Sequence, residues 1–326
     1  PFSTDKRNRT PYVQEWNFDV QHTFGTNWLV DLGYIGDTGQ KLPQRRNQNI
    51  ARPDSTGTIP IQQRVPYPNL SWILLAYNGG WSSYNALTAR VEKRFSQGFS
   101  FLASYTWEHA LDLGGTDDFS MASCCFKVLD KGNSDYMVPQ RLTLSYVYEL
   151  PVGRGKHFLP GAAGFTDKLV SGWQLSGITT FSMGQFGTPV LGFDWTNLGA
   201  FSTSLPDRIG NPVPVNRTYQ NWVTPSAFIT PGCPSFTRCA NGVHVEGDAA
   251  RNSIEFPGIN NWDLAIIKNT RIGELLSAQF RAEMFNAWNH AQFGPPNLSL
   301  ASGQFGRIGS LLIAPREIQF ALKLIF

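Results

Sequence analysis

From its last residue backwards the chain alternates without a break: Phe326, Leu324, Leu322, Phe320 and Ile318 share one parity, and Ile325, Lys323, Ala321, Gln319 and Glu317 share the other. This is the period of a β-strand with one apolar face. Eight further segments carry the same alternation. The first two are Tyr12–Phe24 and Asn27–Gly36, joined through Gly25-Thr26, with Trp16, Phe18 and Val20 on one face and Trp28, Val30, Leu32 and Tyr34 on the next. Then come Tyr84–Phe95 and Gly98–Glu108 around Ser96-Gln97, followed by Gln140–Leu150 and Gly172–Met183. After a long irregular stretch, Asn261–Ile272 and Leu276–Trp288 form a pair around Gly273-Glu274. The pattern predicts nine long antiparallel strands and an all-β fold.

The connections alternate in length. Those at 25–26, 96–97, 151–171 and 273–274 are short, whereas 37–83, 109–139, 184–260 and 289–315 are long, so every long loop falls at one end of the sheet. A barrel crossing an outer membrane has that asymmetry, with tight periplasmic turns and long extracellular loops. Strand length agrees: about 12 residues rise about 40 Å, and a 45° tilt leaves about 28 Å, close to the ~25 Å apolar band of such barrels. A charge at mid-bilayer costs about 2–4 kcal/mol. Arg90, Glu92, Arg94, Arg141, Glu149, Arg281 and Glu283, which oppose the apolar parity, are therefore expected to face a wet or plugged lumen, with Tyr and Trp near the strand ends forming interfacial girdles. Nine antiparallel strands leave the first and last running the same way, which does not close an even-numbered barrel, so further strands are expected upstream.

Composition supports this reading. Gly 31, Pro 21 and 13% aromatic content suit strands and turns, and the densest apolar run, 72–77, is far short of a membrane helix. A net charge of +3 from scattered Lys and Arg gives no basic stripe, and no nucleic-acid partner is expected. The chain opens PFSTDKRNRT, with neither an initiator Met nor the apolar core of a signal peptide, as a truncated beginning would.

Candidate chemistry is sparse. Histidines at 22, 109, 157, 244 and 290 have no metal-ligand spacing, and GRGK at 153–156 lacks the rest of a phosphate loop and reads as a periplasmic turn. Asp112, Asp117 and Asp118 form an acidic cluster without the spacing of a calcium loop. No catalytic, cofactor or metal site is expected, and no enzyme. Cys233 and Cys239 flank five residues of a Pro/Gly loop that would lie outside the cell, where a stapling disulfide persists; the vicinal Cys124-Cys125 leaves its pairing open. Loops 72–84 and 193–222, rich in Trp, Tyr, Asn and Gly, are candidates for ligand contact or for packing over the barrel mouth.

The stretch from Gly247 to Asn297, with NWDLAIIKNTRIGELLSAQFRAEMFNAWNHAQFGPPN at its heart, and the ending FGRIGSLLIAPREIQFALKLIF resemble the C-terminal barrel of TonB-dependent outer-membrane transporters of the Oar-like group. TPYVQEWNFDVQHTFGTNWLVDLGYIGDTGQKL and YNALTARVEKRFSQGFSFLASYTWEHALD are similar to the same group. The resemblance covers most of the chain and thins over 110–135 and 190–245. It implies a 22-stranded barrel of which these are the last nine strands, a plug and a regulatory-like domain ahead of them, engagement of TonB through that missing part, and an extracellular ligand left unidentified. It also implies that Phe320, Leu322, Leu324 and Phe326 form the C-terminal signal read by the barrel-assembly machinery, and that the partners include outer-membrane lipid. Two other readings stay open on the residues alone: a self-contained structural barrel or adhesin, made whole by oligomerisation or by a tenth strand within 186–195, and a soluble all-β binding module.

Overall fold

In the computed structural model, which describes residues 1–71, 73–114, 130–199, 204–240, 242–273 and 275–326, the nine long strands all belong to one continuous antiparallel sheet. They are β1 (Tyr12–Phe24), β2 (Trp28–Asn47), β3 (Leu74–Ser96), β4 (Phe99–Asp112), β5 (Gln140–Glu149), β6 (Trp173–Ser182), β7 (Ile259–Arg271), β8 (Ser277–Phe285) and β9 (Glu317–Ile325). Each pairs with its neighbour in chain order, and a short strand, Phe2–Thr4, adds in parallel to the upper end of β3 at Leu74–Ala76. Among the described residues the remaining sheets have only two strands each, so the nine strands do not form a sandwich.

The register carries the expected alternation across every interface. Val20 pairs with Leu32, Leu32 with Ala89, Ala89 with Tyr105, Tyr105 with Leu142 and Leu142 with Phe181. On the other face Asp31 meets Arg90, Arg90 meets Ser104, Ser104 meets Thr143 and Thr143 meets Thr180. Because side chains alternate with period two, directly opposed residues share a face, and one slipped residue anywhere would mix the two sets.

Cross-strand rows are also staggered. One row runs Phe24, Trp28, Lys93, Phe101, Tyr146, Gly177, Leu264, Met284, Ile318. It starts at the turn end of β1 and arrives seven residues above the turn end of β9 at Ile325. Seven residues are about 23 Å along a strand, and eight strand steps about 38 Å across the sheet, a tilt of about 30°. That inclination approaches the 35–45° of closed barrels.

Aromatic residues collect near both ends of the apolar face. At the turn end Trp28 stands against Phe101 with ring centroids 5.5 Å apart, and Phe99 against Tyr148 at 6.0 Å. At the loop end Trp262 contacts Phe181 at 5.7 Å and Trp288 at 6.3 Å. Lys93 and Lys268 lie on the apolar parity, but both sit at the turn end. Their ammonium groups rest over Phe99 and Trp173 and reach backbone carbonyls, the arrangement of a snorkelling lysine.

Several boundaries differ from the sequence reading, and β4 runs on from Glu108 to Asp112. β2 continues to Asn47 and β3 begins at Leu74, so 37–47 and 74–83 belong to the sheet rather than to a loop. Above the apolar band both faces are wet or covered by loops, so the hydrophobic period disappears while the backbone ladder continues. A bulge at Leu42, after Lys41 in the left-handed region (φ 54°), marks the change. β8 stops at Phe285 rather than Trp288, because Asn286 turns left-handed (φ 49°) and its side chain takes over the hydrogen bonding. Its amide donates to the carbonyls of His290 and Ala314, at 3.0 and 3.2 Å, and its oxygen accepts the His290 N–H at 2.9 Å. The 151–171 connection is a compact segment with a helix at Gly164–Val170, not a tight turn. Glu274, in the turn between β7 and β8, lies outside the described residues.

The register yields a paired prediction. Leu144, between Ala103 and Thr179 on the apolar face, replaced by Arg should cost about 2–4 kcal/mol and block membrane assembly. Thr143→Arg, one residue away beside Ser104 and Thr180, should assemble normally. Heat-modifiable gel mobility in isolated outer membranes reads the difference, and equal behaviour of the two variants contradicts the register.

Candidate functional site: the polar face and the loop cap

Two regions display chemistry: the polar face of the sheet and the loops gathered at its upper end. On the polar face some of the charges are paired locally. Arg90 and Glu92 form an ion pair at 2.6 Å along β3, and Arg281 and Glu283 do the same at 2.6 Å along β8, where Gln319 also donates to Glu283. Tyr84 donates to Glu108 at 3.0 Å. Arg141 stands opposite Thr106 and Ser182, and Glu149 opposite Gln174, with Lys156 of the following segment 3.2 Å from the carboxylate. Arg94 sits where the pairing of β3 with β4 slips between Lys93 and Ser96, its N–H bonded to the Asn27 carbonyl at 2.8 Å. These pairs are partly exposed, so each contributes little to stability, about 0–1 kcal/mol. They line the polar face without converging on one point.

The upper loops build a core of their own. Leu191, Trp195, Val223, Phe228, Ile254 and Leu300 are buried together, with Phe305 edge-on to Phe228. The described part of 193–222 thus supplies packing, including the fully buried Leu205, although Val213 and Val215 remain exposed. Cys233 joins this core and is disulfide-bonded to Cys239, their Cα atoms 5.8 Å apart. Asp117, Asp118, Cys124 and Cys125 lie outside the described residues.

Buried polar side chains tie the loops to one another and to the strands. Arg251 is 8% exposed and reaches the carboxylates of Asp112, at the end of β4, and Asp135 (3.3 Å), and the Asp130 carbonyl (2.9 Å). Asn252 bonds to Asn133, Asp135 and Thr188. Arg64 donates to the carbonyls of Ile59, Arg52 and Asn197, and Asn49 donates to those of Tyr67, Leu70 and Ser71. Arg251, Asn252, Arg64 and Asn49 do not stand out in the sequence, because most of the groups they bind lie far away along the chain. The acidic residue Asp112 is thereby an anchor for Arg251.

Glu246 is the most perturbed acid in the cap. Burial, reinforced by the charges of Asp194 and Asp130, raises its pKa to about 8, although the Leu205 N–H donates to its carboxylate at 2.7 Å. The histidines are dispersed: His244 stacks on Trp195 at 4.2 Å and contacts the Trp195 carbonyl at 2.6 Å, while His290 lies 3.1 Å from the Gln292 amide. Among the described residues no group of three or more His, Cys, Asp or Glu is placed to hold a metal ion.

An apolar face edged by aromatics, an opposite polar face carrying ion pairs, a tilted antiparallel register and all long loops at one end define the wall of a transmembrane β-barrel. The chain belongs to the family described as outer membrane beta barrel domain, whose match spans residues 1–319, and its place is the bacterial outer membrane. Among solved structures it is similar to the outer-membrane transporter YddB from Escherichia coli (TM-score 0.49, 9% identity, 98% of this chain and 33% of that one). It is also similar to the FrpB iron transporter from Neisseria meningitidis (0.43, 9%, 99% and 32%). A third is BauA, the ferric preacinetobactin receptor from Acinetobacter baumannii (0.44, 11%, 97% and 29%). The chain spans about a third of the length of these structures. No curated protein matches it.

Glu246 and Arg251 generate predictions. A carboxyl whose folded pKa lies above its unfolded value of 4.5 keeps its proton in the folded cap while the unfolded chain has lost it, so the cap loses stability as pH rises from about 4.5 to 8. The hydrogen-exchange protection of the described amides in 204–207 and 242–249, taken relative to unfolded rates at the same pH, should therefore fall over that range, and Glu246→Gln should flatten the dependence. Arg251→Met leaves Asp112 and Asp135 without their cation, and should cost about 3 kcal/mol and expose residues 130–135 and 249–254 to protease. Unchanged proteolysis would show that the anchor is dispensable.

Proposed function

We propose that this chain is the C-terminal part of the barrel of a TonB-dependent transporter of the Oar-like group, moving an extracellular ligand across the outer membrane with energy delivered through TonB. The observation that carries the reading is the direction of the edge strands. β1 and β9 are separated by eight antiparallel steps, so both run from the loop end to the turn end. They cannot pair with each other antiparallel, nor can two copies in the same orientation join head to tail. Closure needs an odd number of additional strands, and thirteen would complete the 22 of a plugged transporter barrel. The short Phe186–Gly187 strand pairs with Ile254–Glu255 outside the main sheet, so it does not act as a tenth wall strand.

In this reading the ion-paired residues of the polar face line the lumen against a plug. Phe320, Leu322 and Leu324, on the apolar parity of β9 opposite Ala282, Phe280 and Ala278, present with Phe326 the signal for the barrel-assembly machinery. Coupling to TonB belongs to the part of the protein ahead of β1.

An immunoblot of native outer membranes, with an antibody to the 204–240 loop, tests this. Nine strands occupy 36.3 kDa here, so a 22-stranded barrel scales to about 90 kDa before any plug is added. A band at or above that mass is expected. A single band near 36 kDa would remove the transporter reading and leave a self-assembling structural barrel in its place.

A further inference from the structure

The groove between the turn at 218–221 and the segment 295–310 has no part in the wall or in the loop core. It encloses about 520 Å³, within the ~300–1,000 Å³ typical of small-molecule sites. Its aromatic surface is Tyr219, stacked on Phe293 with centroids 5.9 Å apart at 18°, and 50% exposed. Pro295 and Pro296 extend that surface. Its polar lining is mostly carboxamide, from Gln220, Asn297 and Gln304, joined by the Arg307 guanidinium and the Ser310 hydroxyl, without a carboxylate.

The site is held before any ligand arrives. The Ile308 N–H donates to the Tyr219 carbonyl at 2.7 Å, Asn297 N–H to the Arg307 carbonyl at 2.9 Å, Gly306 N–H to the Asn297 carbonyl at 2.8 Å, and Gly294 N–H to the Ser310 carbonyl at 2.9 Å. These bonds use backbone groups that an added peptide strand would need, which disfavours a peptide ligand. A single cation, itself 3.4 Å from the Gln304 side-chain oxygen, is too little for a polyanion. What remains is a ligand with an apolar flat face and a rim of neutral groups that both donate and accept. A pyranose ring meets that description: its C–H face stacks on an aromatic ring, and carboxamides supply one acceptor and two donors to neighbouring hydroxyls.

We propose that this groove is a binding site for a neutral hexopyranose unit of an extracellular oligosaccharide, stacked on Tyr219 and hydrogen-bonded by Gln220, Asn297, Gln304 and Arg307. The inference goes beyond the transport reading and does not depend on it, because a surface sugar site serves attachment or capture whether or not the sugar is imported.

The test uses the full-length protein purified in detergent, titrated calorimetrically with cellohexaose, maltohexaose, laminarihexaose and mannohexaose. Saturable binding to at least one is expected. Tyr219→Ala and Gln304→Ala should each weaken it by about tenfold, whereas Tyr219→Phe, which keeps the stacking face, should stay within about threefold of the parent. Heat-modifiable mobility of each variant shows that the barrel is intact, so a loss of binding is not a loss of fold. The proposal is overturned by no saturable binding to any of the four, by undiminished binding in Tyr219→Ala, or by tighter binding of a heparin hexasaccharide than of every neutral sugar. A 36 kDa native band, which removes the transporter reading, would leave these outcomes unaffected.

Discussion

The rest of the structure depends on an unbroken strand register, because the membrane tolerates apolar side chains on one face only and leaves no backbone group free to be satisfied by water. Eight consecutive antiparallel interfaces keep Phe18, Leu32, Ala89, Tyr105, Leu144, Leu264, Met284 and Phe320 on one side, and Asp31, Arg90, Ser104, Thr143 and Glu283 on the other. A slip of one residue in β3 would carry Arg90 and Glu92 onto the lipid face, at about 2–4 kcal/mol for an Arg at the midplane. The tight turns defend the register locally. Gln97 and Gly98 both take left-handed geometry between β3 and β4, and Gly25 does so between β1 and β2.

Stagger is the second consequence of that register. Rows that climb seven residues across the wall incline the strands to the membrane normal, which is how a sheet curls into a cylinder rather than remaining a plane. Close approaches on the apolar face accompany it. A Cβ at Gly36 would collide with the Trp16 ring, and one at Gly177 with Tyr146 and Leu264, so at both places a neighbouring large side chain occupies the room that a side chain would need.

The sequence displayed the wall plainly because period two is a local property: all nine strands and the polar side of Arg90, Glu92, Arg281 and Glu283 follow from parity, and the neighbour order follows from the connections. Where both faces lose contact with lipid, parity carries no information. The upper halves of β2 and β3, with Pro43 and the Leu42 bulge inside them, were therefore illegible as strand. The loop core was illegible for another reason. Arg251 meets groups 116 and 139 residues away, and Arg64 a carbonyl 133 residues away, and nothing near either residue announces such a partner.

That division explains why the loops need independent means of support. Both faces of the wall are committed within the membrane, one to lipid and one to the polar interior, so the wall has no apolar surface to lend to the segments above it. The loops must bury their own, and do so around Leu191, Trp195, Phe228 and Phe305. A core of that size between irregular segments is marginal, since so little apolar area offsets so much backbone entropy. The disulfide between Cys233 and Cys239 and the buried side-chain bonds of Arg64, Asn49, Arg251 and Asn252 to distant backbone reduce that cost, and they link the cap to β4 through Asp112. A cap fixed in this way can hold a surface such as the Tyr219 groove in one shape, which a free loop cannot. Binding there need not order the chain first, so more of the contact energy is left for the ligand.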